Sequence, residues 1–296
     1  MTNLFSPISL LNETFILGES PVWDSENNRL YWTDIIGQNV HSLDIKTQNR
    51  EVWNFSTEVG ALGLTDQNRL IVATRKDIFF LHPKTGKRDF LCRIEDNLNT
   101  RTNDGKVGPD GAFWIGTMNN NISSNEPLGS LYRITNNGTV EKKATGFKIS
   151  NGLSWSSNGK IMYHSDSRGP WVNKWDFNIT KGTINNCQRY LNLDDNIGRP
   201  DGSAVDSEDC YWSAGVSSGT LNRFSPDGNL LKSINMLIPN PTMPCFGGKN
   251  MKTLYVTSHR YNYTLNQCRM FPNAGKIFTL EVEVPGVPIS RFHEKY

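Results

Sequence analysis

The amino-acid sequence predicts an all-β fold, and three observations support this class. Short runs rich in aromatic and β-branched residues recur along the chain, and clusters of Gly, Asn, Asp and Pro separate them. No segment keeps an apolar i, i+3, i+4, i+7 stripe for the length that a helix needs. Similar runs return at intervals of 40 to 50 residues, a period typical of the blades of a β-propeller.

The recurring unit is a polar turn followed by a hydrophobic strand that ends in small or polar residues. Six copies align at equivalent apolar positions: Leu30, Leu70, Phe113, Ile161, Tyr211 and Leu254. More strands follow most copies, and Asn137-Gly138 predicts a tight hairpin turn between two of them. We therefore expect a six-bladed β-propeller with four-stranded antiparallel blades around a central channel, formed by residues 1–296 as a single domain. The stretch around Phe15–Leu17 is expected to give the last blade its missing strand and so close the ring.

Charge and composition exclude several function classes. The chain has 31 Lys and Arg against 29 Asp and Glu, without a basic block, which argues against nucleic-acid or membrane partners. No apolar run approaches the roughly 20 residues needed to span a bilayer. The N-terminus lacks the basic start and apolar run of a secretory signal, which predicts a cytoplasmic protein. The five Cys are odd in number, widely spaced and without a Cys-x-x-Cys pair, so we expect reduced thiols.

Polar residues of different blades are expected to converge at the channel. The first strand of each unit should line it, and Glu19, Asn151 and Asp201 lie at corresponding positions near the starts of these strands. Two carboxylates and an amide offer only oxygen, which suits a hard divalent cation such as Ca²⁺, Mg²⁺ or Mn²⁺. The alternative is that Asn-Gly and Asp-Gly here are simple turns. Asn158-Gly159 already supplies a turn in this blade, so Asn151-Gly152 is not needed for one. Asn and Asp are so often only turn formers that both interpretations stay open at this point.

Seven segments carry a family resemblance. They are Leu17–Trp23, Arg101–Val107, Trp114–Met118, Gly129–Tyr132, Ser150–Leu153, Arg199–Gly202 and Pro244–Gly248. In this order, and over nearly the full chain, the sequence resembles the regucalcin and gluconolactonase family, also called senescence marker protein. The Asn103-Asp104 region and the late Cys-Phe-Gly-Gly segment resemble bacterial sugar-acid lactonases, such as xylonolactonase and arabinolactonase, at least as much as animal regucalcins.

The resemblance implies a propeller that holds one divalent metal ion in its channel and hydrolyses lactones of aldonic acids. Members of the family differ in their preference among calcium, zinc, magnesium, manganese and ferrous iron. Matched residue by residue, the metal ligands would be Glu19, Asn151 and Asp201, while Arg101 and Asn103 would contact the substrate. The family often has an acid just beyond the Gly-Thr-Met segment. Asn119, Asn120 and Asn121 stand there instead, so Asn120 becomes the expected substrate contact and sugar selectivity stays open.

These residues suggest a mechanism for opening a lactone, which is an internal ester. Asp201 would take the proton from the attacking water. Arg101 would stabilise the developing oxyanion or bind a sugar hydroxyl, and Asn103 would donate to and accept from ring hydroxyls. The structural alternatives are a surface ion pair for Arg101 and a turn with Asp104 and Gly105 for Asn103. Asp104 could also be the better-aligned residue of its blade.

Other functions stay open at this stage. One is a calcium-binding regulator of the regucalcin kind without significant turnover, and another is a related hydrolase of esters or organophosphates or a luciferin-recycling relative. The motif of receptor propellers, Tyr31-Trp32-Thr33-Asp34, occurs once, which disfavours a protein-binding propeller. Gly215–Gly219 matches Gly-x-Ser-x-Gly but lacks a following helix. We expect a small sugar lactone as the partner and a monomer or weak homo-oligomer as the assembly.

Overall fold

The computed structural model describes residues 4–294, which form six four-stranded antiparallel sheets and one short helix. A first strand, β1 (Ile8–Ser9), precedes the first sheet. Blade 1 consists of β2 (Gly18–Asp24), β3 (Arg29–Asp34), β4 (Asn39–Asp44) and β5 (Arg50–Asn54). Blade 2 consists of β6 (Val59–Leu64), β7 (Leu70–Thr74), β8 (Asp77–Leu81) and β9 (Arg88–Arg93). Blade 3 consists of β10 (Thr100–Val107), β11 (Phe113–Asn119), β12 (Gly129–Ile134) and β13 (Val140–Phe147).

The second half of the chain repeats the arrangement. Blade 4 consists of β14 (Ser150–Trp155), β15 (Ile161–Asp166), β16 (Trp171–Asn178) and β17 (Thr183–Asn192). Blade 5 consists of β18 (Pro200–Val205), β19 (Tyr211–Gly215), β20 (Thr220–Phe224) and β21 (Leu230–Asn235). Blade 6 consists of β22 (Pro241–Gly247), β23 (Thr253–Ser258), β24 (Phe278–Glu281) and β1. The helix α1 (Leu265–Met270) lies between β23 and β24. The six-bladed β-propeller predicted from the sequence is confirmed.

The ring closes through the N-terminus, but not with the residues predicted from the sequence. Ile8 pairs with Thr279 and Ser9 with Phe278, so β1 is the outer strand of blade 6. Phe15 is buried instead, packed edge-on against Trp32 in blade 1. Leu17 makes one isolated bridge, to His259. The apolar character of this stretch serves core packing rather than the closing strand.

The inner strands form the wall of the channel, as expected. The innermost strand of each blade contacts the innermost strands of its two neighbours, and this closed set is β2, β6, β10, β14, β18 and β22. β2 is buried along its whole length, whereas the outer strand β5 is mostly exposed or half-buried. Polar side chains at the starts of the inner strands are therefore brought to one end of the channel, away from bulk water.

Aromatic side chains fill the spaces between blades. Trp114 of blade 3 packs against Trp155 and Phe177 of blade 4. Trp212 of blade 5 likewise packs edge-on against Phe246 of blade 6. Edge-to-face contacts of this kind stabilise a core beyond the area that they bury. The five cysteines are free thiols, as predicted. No helix among residues 4–294 is long and apolar enough to cross a membrane.

A buried histidine in blade 4 gives the fold a defined acid sensitivity. His164 is fully buried, its Nε2 lies 2.7 Å from Ser150 Oγ, and burial lowers its pKa to about 3. When the pH is below the ordinary histidine pKa of about 6.5, His164 therefore binds a proton in the unfolded chain but not in the folded protein. The contribution of neutral His164 to the unfolding free energy is therefore complete above about pH 6.5 and falls as the pH drops toward 3. Between pH 7 and pH 5 the loss from this group is about 2 kcal/mol.

We expect His164→Gln to remove this part of the pH dependence. Urea unfolding at pH 7 and pH 5 should show a difference in unfolding free energy that is smaller by about 2 kcal/mol in the variant than in the native protein. His293→Gln, which changes an exposed histidine, should keep the native difference. The same pH difference in His164→Gln and native protein would contradict the assignment.

Candidate active site in the central channel

One position of the inner strands is structurally equivalent in all six blades. In every blade, one residue near the end of the inner strand pairs with an apolar residue at or near the start of the second strand. The six pairs are Trp23 with Leu30, Leu64 with Leu70, Val107 with Phe113, Trp155 with Met162, Val205 with Tyr211 and Phe246 with Leu254. Four residues before the inner-strand member of each pair lies one of six equivalent positions: Glu19, Gly60, Asn103, Asn151, Asp201 and Thr242. We call them the channel ring. Met162, not Ile161, is therefore equivalent to Leu30.

The channel ring also settles the alignment within blade 3. Asn103, rather than Asp104, occupies the position of Glu19, Asn151 and Asp201. Asn103 lies inside β10 and not in a turn with Asp104 and Gly105, so the structural alternative for this residue is wrong. The sequence misleads here because Asp104-Gly105 resembles Asn151-Gly152 and Asp201-Gly202, whereas strand pairing aligns Asn103 with Asn151 and Asp201.

The register breaks lie beside the channel ring in every inner strand. In β2 the break falls between Glu19 and Val22, and in β14 between Asn151 and Ser154. Such irregularities re-aim side chains near functional sites. Ser20 adopts a left-handed φ of 47°, which is uncommon for a residue with a Cβ, and its backbone N–H donates to Glu19 Oε2 at 2.9 Å. The bend thus fixes the carboxylate that precedes it.

Two glycines give the channel ring its shape. Gly60 occupies one of the six positions without a side chain, because a Cβ there would lie 2.4 Å from Thr102 Oγ1 and 3.0 Å from Asn103 O. Gly152 is the residue of blade 4 that corresponds to Ser20, and its φ is 62°. A Cβ on Gly152 would lie 2.4 Å from Tyr211 Oη. Small residues at these points allow the strands carrying Asn103 and Asn151 to approach their neighbours.

Two buried carboxylates of the channel ring interact with each other. Glu19 is 7% exposed and Asp201 is 9% exposed. Burial raises the pKa of Glu19 well above its usual value, and the negative charges of Asp201 and Asp104 raise this pKa further. Burial also raises the pKa of Asp201, again with a contribution from Asp104, while Arg101 opposes it. Neither carboxylate has an ion-pair partner within 4 Å among residues 4–294, so the negative charge here is uncompensated by direct pairing.

Asp104 extends this cluster one residue deeper into the channel. Its Oδ2 accepts a hydrogen bond of 2.9 Å from Leu153 N, whereas its buried Oδ1 has no hydrogen-bond partner in the described part of the chain. Burial raises the pKa of Asp104, and Lys106 lowers it. A buried oxygen without a donor costs free energy, and such orphans mark functional sites or sites of a missing ion or water.

A one-way chain of hydrogen bonds links the amide side chains. Arg101 Nη1 donates to Asn103 Oδ1 at 3.1 Å, and Asn103 Nδ2 donates to Asn151 Oδ1 at 2.9 Å. Asn151 Nδ2 then donates to Ser167 Oγ at 2.7 Å, and Ser167 Oγ donates to Pro200 O at 2.6 Å. Arginine can only donate and a backbone carbonyl can only accept, so the two ends fix the orientation of both amides. The second lone pair of Asn151 Oδ1 remains available to a ligand.

Arg101 lies at the mouth of the channel rather than in a surface ion pair. It donates to Thr102 O at 2.8 Å as well as to Asn103, and burial lowers its pKa to about 10. Glu58 and Arg75, which form an ion pair of 2.7 Å, interact with it electrostatically. Arg101 therefore lies between the Glu58–Arg75 ion pair and the buried carboxylate of Glu19, an arrangement of charges that the sequence alone did not reveal.

The asparagine segment after Met118 lies in the same blade as Arg101. The half-buried Asn120 Nδ2 lies 3.3 Å from Leu98 O and 3.4 Å from Thr100 O. Asn119 Nδ2 donates to Glu126 O. Asn120 thus ties its loop to the start of β10, whereas Asn119 ties the loop around Glu126 to the end of β11. A substrate contact of Asn120 would use its oxygen. Asp166 accepts backbone N–H groups from Lys148 and Arg168, which agrees with a structural role at the end of its strand.

The donor set fits a hard divalent cation. Glu19, Asp201 and Asn151 offer oxygen atoms only, and the two carboxylates are buried without a direct cationic partner. Burial raises both pKa values most, and a cation bound here would offset the charge repulsion that adds to its effect. No cluster of three or more His, Cys, Asp and Glu side chains suited to a metal occurs in the described residues, so the set depends on the amide of Asn151. Ser167 was missed from the sequence, because its partner Pro200 comes from the next blade.

Comparisons with known proteins agree with this architecture. The family model of the SMP-30/gluconolactonase/LRE-like region matches residues 17–260. The 6-deoxy-6-sulfogluconolactonase of Pseudomonas putida is 35% identical over 94% of this chain and 95% of that protein. Human regucalcin is 30% identical over 92% of each chain. The crystal structure of a calcium-binding protein, regucalcin from Agrobacterium tumefaciens, superposes with a TM-score of 0.92 at 26% identity over 97% of both chains. The chain therefore belongs to the SMP-30/gluconolactonase/LRE-like family.

Proposed function

We propose that this protein hydrolyses the lactone of a sugar acid to the free acid, with one divalent metal ion held by Glu19, Asn151 and Asp201. The observation that carries the proposal is the channel ring: two buried carboxylates and an oriented amide occupy equivalent positions of three blades. The similarity to a protein named as a sugar lactonase, over nearly the whole chain, supports the reaction class.

The chain's own groups supply the proton transfer and the recognition. When bound, the cation would polarise the lactone carbonyl and lower the pKa of a coordinated water. Asp201 accepts a proton from the attacking water while the oxygen of that water bonds to the carbonyl carbon. The bond from that carbon to the ring oxygen then breaks, and the proton passes to the new hydroxyl. Arg101 stabilises the developing negative charge or binds a sugar hydroxyl, while Asn103 and Asn120 contact hydroxyl groups of the sugar.

The test is a metal and substrate panel. Metal-stripped protein is reloaded with Ca²⁺, Zn²⁺, Mg²⁺, Mn²⁺ or Fe²⁺ and given five- and six-carbon aldonolactones, and acid release is followed in a pH-stat. The panel includes 6-deoxy-6-sulfogluconolactone, because of the relative named for it and because Arg75 and Arg101 place positive charge at the mouth. Metal-dependent opening of at least one lactone is expected. Metal binding without turnover would instead support a calcium-binding regulator, and turnover of aryl esters alone would support an esterase.

Ser167 provides a test of the oriented amide. Removing its hydroxyl with Ser167→Ala takes away the acceptor that holds Asn151 Nδ2, so only the hydrogen bond from Asn103 Nδ2 still orients the amide. Loss of such an outer partner typically lowers metal affinity 10- to 100-fold. We expect a reduction of about that size for Mn²⁺, measured by calorimetry on metal-stripped protein. Ser213→Ala, which removes a buried hydroxyl without a partner in residues 4–294, should bind Mn²⁺ like the native protein. Equal affinities for all three proteins would contradict the role of Ser167.

A further inference from the structure

The opposite end of the channel contains a second cavity, separate from the channel ring. Its volume is about 350 Å³, within the range of natural small-molecule pockets of roughly 300–1000 Å³. The walls come from the later parts of the inner strands, three or four residues beyond the channel ring, and include Val22, Ala204 and Phe246. None of the residues that line the cavity belongs to the channel ring, so the cavity is distinct from the proposed metal site.

The C-terminal segment covers one side of this cavity. Residues 287–290 line it together with Trp155 of blade 4. Val287 is held by a hydrogen bond of 3.0 Å from its backbone N–H to Val205 O, and Ile289 packs against the hydrophobic cores of blade 1. The cavity is therefore a built pocket between the channel wall and a fixed segment, with mostly apolar side chains around it.

One cationic side chain lines this apolar pocket. Lys106 Nζ donates a hydrogen bond of 2.7 Å to Ser203 O, a neutral acceptor. An ammonium group has three N–H donors, and the described residues provide no acceptor for the other two. Asp104 and Glu19 interact with Lys106 electrostatically, but neither forms an ion pair with it within 4 Å in the described chain. A partly enclosed ammonium with spare donors favours a charged acceptor.

We propose that this pocket binds a small carboxylic acid with an apolar body, as its anion. The carboxylate accepts hydrogen bonds from Lys106 Nζ, and the apolar body lies against Val22, Ala204 and Phe246. The apolar walls disfavour a hydroxylated sugar acid, whose hydroxyl groups would lose their hydrogen bonds to water there. The site does not depend on the metal or on lactone hydrolysis, so either proposal can fail without the other.

Octanoate and octan-1-ol are a matched pair of probes, because they share the chain and differ in charge. Calorimetry on the full chain should show octanoate binding at least tenfold more tightly than octan-1-ol, since the charged ammonium of Lys106 bonds a charged carboxylate more strongly than a neutral hydroxyl. Lys106→Met should abolish the tenfold preference, and Lys106→Arg should retain most of it. Ala204→Phe, which fills the pocket, should weaken both probes at least tenfold.

The position of the ligand is tested by crystals soaked with 8-bromooctanoate, in which the anomalous signal of bromine locates the chain. The signal is expected between Ala204 and the segment 287–290. Equal affinity for octanoate and octan-1-ol, no binding of either, or a bromine signal at the channel ring or on the outer surface would each overturn the proposal. If Lys106→Met fails to fold, Lys106→Arg and Ala204→Phe still decide it, because unchanged octanoate affinity in Ala204→Phe excludes this pocket.

Discussion

Asp201→Asn is expected to reduce lactone turnover by about 10²- to 10⁴-fold, the usual contribution of a general base. The substitution keeps the shape of the side chain and removes both its negative charge and its ability to take a proton from water. Because Asp201 is also proposed as a metal ligand, metal affinity should fall as well. The measurement is acid release at saturating lactone, with the metal concentration raised until the rate no longer changes.

The same variant should keep its fold. Asp201 lies near Glu19 and Asp104, and these carboxylates repel one another in a buried environment. Removing one charge lowers that repulsion, so metal-free Asp201→Asn should unfold at a temperature no lower than metal-free native protein. Asp227→Asn, on the surface of blade 5, serves as the control and should retain full activity. A folded Asp201→Asn protein with native turnover would remove Asp201 from the mechanism.

The ring architecture could be predicted from the sequence because its signals are local. Each second strand follows a polar turn and carries a dense apolar run, as in Arg29–Asp34, and this pattern repeats with a nearly regular period. The equivalence of Glu19, Asn151 and Asp201 follows from the same period. A repeated local pattern thus predicts which residues of distant segments meet near one axis.

The exact register could not be predicted in the same way. Ile161 and Met162 are both apolar, and only strand pairing shows that Met162 pairs with Trp155 and is fully buried while Ile161 stays half-buried. A one-residue shift places a side chain on the other face of a strand, so neighbouring apolar residues give an ambiguous alignment. Asn103 and Asp104 give the same ambiguity, because both are polar and only strand pairing shows which one aligns with Asn151.

Features that depend on contacts between blades could not be predicted from the sequence either. The strand β1 has two residues, too few to show any alternation of apolar and polar side chains, and its identity follows from pairing with β24. Ser167 gains its role by donating to Pro200 in the next blade. Lys106 reads as an ordinary surface lysine until the structure places it beside an apolar cavity. Such roles come from tertiary neighbours rather than from spacing along the chain.

Asp206→Ala is expected to destabilise the protein by about 3–5 kcal/mol, the usual cost of removing one partner of a buried ion pair. The fully buried Asp206 carboxylate accepts from Arg223 Nε at 2.7 Å and from Trp212 Nε1 at 2.8 Å. It also accepts backbone N–H groups in the turn before β19. Its loss leaves the Trp212 indole N–H without its acceptor and leaves Arg223 with only the exposed Glu208 as a partner. It also frees the turn that precedes β19.

Glu208→Ala provides a matched control, because Glu208 pairs with the same Arg223 at the same distance of 2.7 Å but is 61% exposed. Water screens an exposed ion pair, so this variant should lose less than about 1 kcal/mol. Unfolding free energies from urea titration at pH 7 compare the two directly.

Blade 3 repeats the arrangement, since Asp110 pairs with Arg133 at 2.7 Å and accepts from Trp114 Nε1. Asp110→Ala should therefore resemble Asp206→Ala, and equal small losses in all three variants would show that these carboxylates do not stabilise their blades.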